Sequence, residues 1–268
     1  MERIRAVRCA VGLLATLTAW AGTPPTASAK QSVRLTATLT PELLGHETTV
    51  GFGFRIATPA DHVPPPLTGV VVRYPIGLSL GLSELGLATC TARTLATAGP
   101  ESCPANSVMG YGTALAEIPI GPTIYEETTQ LTIVRAPNHN GGLALLIYAN
   151  GQTPVSAHIV FGSVLLPAAP PFGGRLDLSI PLVPSLPEAP DVAVVRLNAT
   201  LGPKHLHYHE RIHGRIINYE PKGIPLANTC PHSGFRFTAK FAFLDGSHAA
   251  ASTTVPCPGS RISRSNSS

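Results

Sequence analysis

Apolar and polar side chains alternate strictly over several stretches of the chain, and this alternation predicts β-strands. The most regular stripe places apolar residues at every second position of 235–243, with Arg236, Thr238 and Lys240 between them. Alternation with a period of two over five or more residues is typical of a strand that is buried on one face. Comparable stripes predict strands over 33–40, 50–56, 175–180 and 193–201, and weaker patterns predict strands over 67–74, 110–118, 129–136, 142–149, 155–166, 205–213 and 248–255.

Turn-forming residues separate the predicted strands and leave almost no room for helices. Clusters of Pro, Gly and Asn interrupt the stripes, and the helical candidates are limited to short turns over 82–88 or 92–97. Many short strands separated by turn-forming residues favour a sandwich or a barrel. We therefore predict an all-β protein built as an antiparallel β-sandwich of jelly-roll or Ig-like type. It forms either one large sandwich or two small sandwiches in tandem, with a boundary near 119–127.

The composition agrees with strands and turns and argues against nucleic-acid binding. Only 13% of the residues are charged, whereas the chain contains 25 Gly and 27 Pro. Polar positions are filled largely by Thr, Ser and Asn, which suit strands and turns. The formal charge is +4, and no patch of Lys or Arg is longer than two residues. Because following a phosphate backbone requires a basic patch, we predict no nucleic-acid partner.

The first 29 residues have the pattern of a cleavable export signal. Three arginines give residues 1–8 a basic start, and residues 9–21 form an uncharged apolar run. The run is too short for a membrane-spanning helix, which needs about 20 residues. Ala27-Ser28-Ala29 then supplies the small residues of a cleavage site. We predict cleavage after Ala29, and an uncleaved membrane anchor is the alternative.

Removal of this signal leaves a secreted protein, either extracellular or associated with the cell envelope. Its mature chain has 16 basic and 14 acidic residues and no predicted membrane span. Residues 30–258 form the predicted β-sandwich region. Residues 259–268 are small, polar and basic, and predict a disordered tail.

Four cysteines remain after the signal and predict two disulfide bonds. They are Cys90, Cys103, Cys230 and Cys257. An even number of cysteines in an exported protein is typical of a disulfide framework, and four cysteines allow three connectivities. We favour the local pairs Cys90–Cys103 and Cys230–Cys257. The alternatives are free thiols and a zinc site, although the C-x2-C spacing typical of zinc sites does not occur.

Two stretches resemble a group of exported proteins of unknown function from high-GC Gram-positive actinobacteria. The first runs from Gly86 through Cys90 and Cys103-Pro104 to Gly112. The second runs from Tyr219-Glu220-Pro221 through Cys230-Pro231 to Asp245-Gly246-Ser247. The resemblance implies an exported, β-rich protein with these cysteines as its framework. It implies no activity, ligand or catalytic residue.

One segment invites a chemical hypothesis because it carries four histidines within nine residues. If 205–213 is a strand, His205, His207, His209 and His213 point to one face, and Leu206, Tyr208 and Ile212 point to the other. Same-face neighbours lie about 6.6–7 Å apart along a strand, so adjacent imidazoles can converge on one metal ion. The segment therefore predicts a Zn or Cu site, and the alternative is a solvated, histidine-rich strand face.

The same segment also spells H-E-x-x-H once, from His209 to His213. In a metalloprotease this motif works because a helix brings both histidines onto one face, with the Glu as general base. Here Gly202-Pro203 and Gly214 leave about ten residues between them, and the alternation favours a strand. A zinc-dependent hydrolase with Glu210 as general base is the catalytic alternative.

Other catalytic patterns are weak, so we favour a non-enzymatic protein. The spelling G-x-S-x-G occurs once, from Gly77 to Gly81, but that motif serves as a nucleophile elbow on an α/β sheet, which an all-β chain does not provide. The only tryptophan, Trp20, lies in the predicted signal, which argues against a carbohydrate site built on stacked aromatic rings. We expect a binding or structural module that has no cofactor. We expect it to bind an unidentified surface or extracellular partner. The alternatives are a zinc-dependent hydrolase and a metal-binding protein that use the histidine segment.

Overall fold

A computed structural model of the protein describes residues 31–58, 62–139, 142–153, 156–184 and 191–258. The predicted export signal and the predicted disordered tail lie outside these residues. The strands are β1 (Ser32–Thr40), β2 (Glu47–Ala57), β3 (Leu67–Pro75), β4 (Val108–Ile120), β5 (Thr123–His139), β6 (Gly142–Gly151), β7 (Ala157–Leu166), β8 (Phe172–Ser179), β9 (Ala193–Leu201), β10 (Tyr208–Ile212), β11 (Arg215–Tyr219), β12 (Ile224–Pro225), β13 (Phe235–Phe243) and β14 (His248–Val255). The described ranges contain one α-helix, α1 (Ala92–Ala98), and short 3-10 turns at Leu80–Leu82, Pro100–Ser102 and Ala105–Ser107. None of these helices has the length and apolar character needed to cross a membrane.

The prediction of an all-β, antiparallel protein is confirmed. Every stripe recognised in the sequence corresponds to a strand, but the strand predicted over 205–213 is shorter and covers only Tyr208–Ile212. Of the two helical candidates, 92–97 is confirmed as α1. This helix begins where the Thr91 side chain accepts a hydrogen bond from the Thr94 N–H at 3.1 Å, which is the usual role of Thr at a helix N-cap.

Twelve strands belong to a single antiparallel sheet. Its hydrogen-bonded order is β1-β2-β9-β4-β5-β6-β7-β8-β3-β13-β14, and the short β12 pairs with β2 outside this path. Residues 119–127, the boundary expected for two tandem sandwiches, include the tight turn between β4 and β5 in the middle of the path. The remaining strands, β10 and β11, form a separate two-stranded ribbon.

The large sheet curls until its first and last strands lie side by side. Cα atoms of β1 and β14 approach within 8 Å, and the Ser247 hydroxyl donates a hydrogen bond to Gln31 Oε1 at 3.2 Å. Eleven antiparallel strands in one path leave the two end strands pointing the same way, so an antiparallel ladder cannot join them. The result is a nearly barrel-like sheet. Its two halves face each other across the core, as the layers of a sandwich would, but they remain connected.

The inward face of the sheet carries the predicted apolar stripes. All five apolar positions of 235–243 are at most 3% exposed. The stripe over 193–201, in which the alternation groups Ala193 and Val195 with Leu197, is interrupted near its beginning, because the register between β4 and β9 shifts between Leu115 and Ala116. Ala193 and Val195 are buried as the stripe predicts, but Val194 takes the place that lines the interior together with Leu197. A bulge of this kind changes which side chains face inward.

Two long connections close one end of the curled sheet. Residues 76–107 and residues 202–234 meet there, and both insert buried leucines or isoleucines into the core, including Leu80 and Ile224. Backbone hydrogen bonds join the two connections: Ala227 N–H donates to the Gly77 carbonyl at 2.8 Å, and Ser79 N–H donates to the Pro225 carbonyl at 3.1 Å. At the opposite end, β4, β6 and β8 end and β5, β7 and β9 begin.

Both disulfides are the predicted local pairs. Cys90–Cys103 and Cys230–Cys257 have Cα–Cα distances of 5.4 and 5.9 Å. Cys90 packs with Leu95 of α1 and with Val134 and Tyr148 in a small cluster separate from the main core. The first disulfide therefore holds α1 against β5 and β6.

Candidate functional site

The interior of the curled sheet is incompletely filled by side chains. A cavity of about 220 Å³ remains between the inward faces of the strands, and its lining is almost entirely aliphatic or aromatic. Protein interiors are normally packed with few voids larger than a water molecule. An apolar cavity of about 150 Å³ can remain dry and hold a molecule such as benzene. The cavity is therefore large enough for a small apolar ligand.

The cavity lies where the inward rows of several strands face one another. Val50 and Phe54 of β2, Leu131 and Ile133 of β5, and Phe161 of β7 all line it. Inward positions alternate with outward ones along each strand. The apolar stripes that form the core therefore also form the wall of the cavity.

One end of the cavity is lined by the β8–β9 connection. Residues 180–183 and Val192 contribute to the lining, and the Val192 N–H donates a hydrogen bond to the Val183 carbonyl at 2.9 Å. Leu182 in this connection is 42% exposed although it also lines the cavity. Leu182 therefore borders both the cavity and the solvent.

A buried carboxylate interrupts the apolar lining of the cavity. Glu127 lies near the start of β5, and only 5% of the residue is exposed. The Thr153 N–H donates a hydrogen bond to Glu127 Oε1 at 3.2 Å. No ion pair to Glu127 occurs among the residues that the structure describes. Burial of a carboxylate without a cationic partner costs free energy.

Three further polar side chains line the cavity: Tyr74, Thr129 and Ser163. Ser163 is 3% exposed, and its hydroxyl has no hydrogen-bond partner within the described ranges. A buried hydroxyl without a partner is rare in folded proteins. Burial also raises the pKa of the Tyr74 phenol above its ordinary value. Glu127 and these three side chains thus place hydrogen-bonding groups in a lining that is otherwise apolar.

The comparisons with known proteins give no family. The chain matches no protein-family model, no curated protein and no solved structure. The cavity and the residues around it are therefore the basis for assigning a function.

Sequence reasoning missed the cavity residues for a specific reason. The predicted strand over 129–136 stopped short of Glu127, whereas β5 extends from Thr123 to His139. Glu127 stands in the same alternating row as Thr129 and Leu131, so extending the stripe by two residues would have placed it inward. An acidic residue is usually exposed, and for this reason the apolar stripe alone does not assign Glu127 to the interior.

The histidine segment has a different geometry from the predicted strand face. His205 and His207 precede β10, His209 lies within it, and His213 follows it. His205 and His213 have positive φ angles of 67° and 50°, which break the alternation. His213-Gly214 forms the two-residue turn of the β10–β11 hairpin, because Ile212 pairs with Arg215. Positive φ at both turn residues is what such a hairpin turn requires.

The segment therefore does not form the helical site that H-E-x-x-H would need. Glu210 lies in β10, so His209 and His213 are not brought onto one helical face. The described part of the chain contains no group of three or more His, Cys, Asp or Glu side chains that could hold a metal ion. Leu206 and Tyr208 are buried as predicted, whereas Ile212 is 42% exposed and not buried.

Proposed function

We propose that this chain is an exported, non-enzymatic binding module that holds a small apolar ligand inside its curled sheet. The observation that carries the proposal is the apolar cavity of about 220 Å³. Ligand sites are commonly concave and mostly apolar, with a small number of polar groups that orient the ligand. The cavity has this character.

Binding is favoured over catalysis by the chemistry of the wall. The described lining contains one carboxylate, Glu127, and neither a histidine nor a cysteine that could act with it. Nucleophilic and acid–base mechanisms need such groups within hydrogen-bond reach of each other. The wall is therefore suited to holding a molecule and not to transforming it.

Export is favoured by two independent features. The first 29 residues have the order of an export signal, with a basic start, a short apolar run and small residues at the exit. All four cysteines that follow the signal are paired in two disulfides. Disulfides persist mainly in oxidising compartments outside the cytosol.

The test is a titration of the exported, mature protein with naphthalene, in which the fluorescence of the ligand reports binding. We expect saturable binding that is lost in Ala149→Leu, because Ala149 lines the cavity and the added side chain occupies its volume. Ala157→Leu provides a second filling variant at a less buried lining position. The loss should be at least about tenfold in affinity.

The matched control is Ala250→Leu, which makes the same change at an exposed position of β14. It should leave naphthalene binding unchanged. Absence of saturable binding to the wild type would overturn the proposal. Equal binding by the wild type and both filling variants, when these are folded by circular dichroism, would place the site elsewhere and overturn it as well.

A further inference from the structure

The inward row of β5 runs along the cavity from a charged group to apolar ones. Glu127, Thr129, Leu131 and Ile133 occupy alternate positions, and all four line the cavity. With a rise of about 3.3 Å per residue, Leu131 lies roughly 13 Å along the strand from Glu127. The row therefore presents an acidic end and an apolar remainder, which matches an amphiphile with a cationic head group and an apolar chain.

The Glu127 carboxylate receives little compensation from the protein. Its one hydrogen bond within the described residues comes from the Thr153 N–H. Arg135 stands in the same alternating row, but it is eight residues away, roughly 26 Å along the strand. The Arg135 guanidinium donates instead to the Gly86 carbonyl at 3.0 Å. The cation that would balance Glu127 is therefore absent from its own strand.

A ligand can supply that missing charge. A protonated amine carries three hydrogen-bond donors and a positive charge, both of which suit a carboxylate. The Thr129 hydroxyl, next in the row, offers a further acceptor. A carboxylate head group would instead meet a like charge at short range in an environment of low dielectric constant, where repulsion is strong.

We propose that the cavity selects amphiphiles whose head group is a protonated amine, with Glu127 holding the amine and the alkyl chain lying along β5 towards Leu131. This inference rests on the proposed function, since it requires that the cavity takes a ligand. It adds the chemical class of the ligand and the residue that recognises it.

The test compares three ligands that share an octyl chain length and differ in the head group: octylamine, octanol and octanoate. Each is titrated calorimetrically into the exported, mature protein at neutral pH. We expect octylamine to bind at least about tenfold more tightly than octanol, and octanoate to bind most weakly. This ranking is measured on the wild type and needs no variant to fold.

The variant that tests the residue is Glu127→Gln, and its matched control is Glu126→Gln. Both remove one negative charge from adjacent positions, but Glu126 is exposed on the outward face of β5. Glu127→Gln should lower the affinity for octylamine by at least about tenfold, because the amide keeps the shape of the side chain and loses its charge. The affinity for octanol should remain almost unchanged. Glu126→Gln should leave the preference for octylamine intact.

The outcomes separate the two proposals. Naphthalene binding together with equal affinities for the three octyl ligands would overturn the inference about the head group and leave the proposed function standing. A preference for octylamine that survives Glu127→Gln would overturn the role of Glu127. Failure of naphthalene and of all three octyl ligands to bind would overturn both.

Discussion

Phe54 and Phe241 meet edge to face inside the curled sheet. Their ring centroids are 5.1 Å apart, and their planes are inclined by 70°. The two residues belong to β2 and β13, which hold the second and the tenth places in the path of the sheet. Strands so far apart in the path can touch only because the sheet curls on itself.

The contact should be energetically measurable as a coupling between the two rings. We expect a double-mutant cycle of Phe54→Leu and Phe241→Leu to give a coupling free energy of about 0.5–1.5 kcal/mol, the range for an edge-to-face aromatic pair. The measurement is the free energy of unfolding from urea denaturation of the wild type, the two single variants and the double variant.

A cycle of Phe54→Leu with Phe235→Leu is the control for this coupling. Phe235 is equally buried on β13 but lies six residues from Phe241, roughly 20 Å along the strand. Distant sites are expected to be additive. A coupling no larger for Phe241 than for Phe235 would show that the rings do not meet and that the sheet is more open.

Tyr208 should stabilise the long connections through its hydroxyl group. This hydroxyl donates to the Val108 carbonyl and accepts a hydrogen bond from the Gly86 N–H at 3.1 Å. Tyr208→Phe leaves both backbone groups without this partner, so we expect a loss of about 1–3 kcal/mol in the free energy of unfolding. Urea denaturation at neutral pH measures the loss.

The control for Tyr208 is its ring neighbour Tyr219, whose centroid lies 5.7 Å away. The Tyr219 hydroxyl is buried and has no hydrogen-bond partner among the described residues. Tyr219→Phe should therefore be neutral or slightly stabilising. An equal loss from both substitutions would contradict a specific role for the Tyr208 hydrogen bonds.

Tyr208 should also make the free energy of unfolding fall as the pH rises through the alkaline range. Burial raises the pKa of Tyr208 to about 12 from its ordinary value of 10.0. The unfolded chain then releases its proton at a lower pH than the folded one, so the stabilising contribution is complete below pH 10.0 and is lost as the pH rises towards about 12. We expect Tyr208→Phe to flatten the decline of the unfolding free energy across this window. An unchanged slope would contradict the assignment.

Glu117 and Glu126 should repel each other across the β4–β5 ladder, where they are direct partners. Burial and, secondly, the charge of Glu126 raise the pKa of Glu117 above its ordinary value of 4.5. The folded state therefore holds this proton more tightly than the unfolded state. The resulting stabilisation is present at acid pH and is lost as the pH rises above 4.5.

Removal of the Glu117 carboxylate should therefore stabilise the folded protein at neutral pH. We expect Glu117→Gln to raise the free energy of unfolding by about 0.2–1 kcal/mol at neutral pH, the range for cross-strand pairs. The gain should shrink at acid pH, where Glu117 is protonated. Thermal or urea denaturation at the two pH values measures it, and an equal gain at both would indicate a cause other than charge.

The disulfide Cys90–Cys103 should hold α1 on the sheet. It closes a loop with a sequence separation of 13, for which the chain-entropy account gives about 3 kcal/mol. We expect the double substitution Cys90→Ser and Cys103→Ser to speed hydrogen exchange in 92–107 far more than in β13. Uniform loss of protection over the whole chain would show that the bond supports global folding and not this local unit.

The amino-acid pattern was most informative about individual strands. The alternation over 235–243 correctly separated the buried side of β13 from its exposed side, because each strand carries its two faces in its own residues. The local cysteine pairs could also be predicted from the sequence, since closing a short loop costs little conformational entropy. The histidine segment was less predictable, because positive φ angles at His205 and His213 interrupt the alternation.

Local patterns were enough to establish that the chain consists of strands with one apolar face each, and which cysteines lie close enough along the chain to pair. They could not establish that β9 lies between β2 and β4, that the sheet curls until Phe54 touches Phe241, or that Glu127 borders a cavity. These features depend on long-range contacts. A period of two reports the environment of a strand's own faces, whereas strand neighbours and cavities arise from pairing and packing between segments that are distant in the sequence.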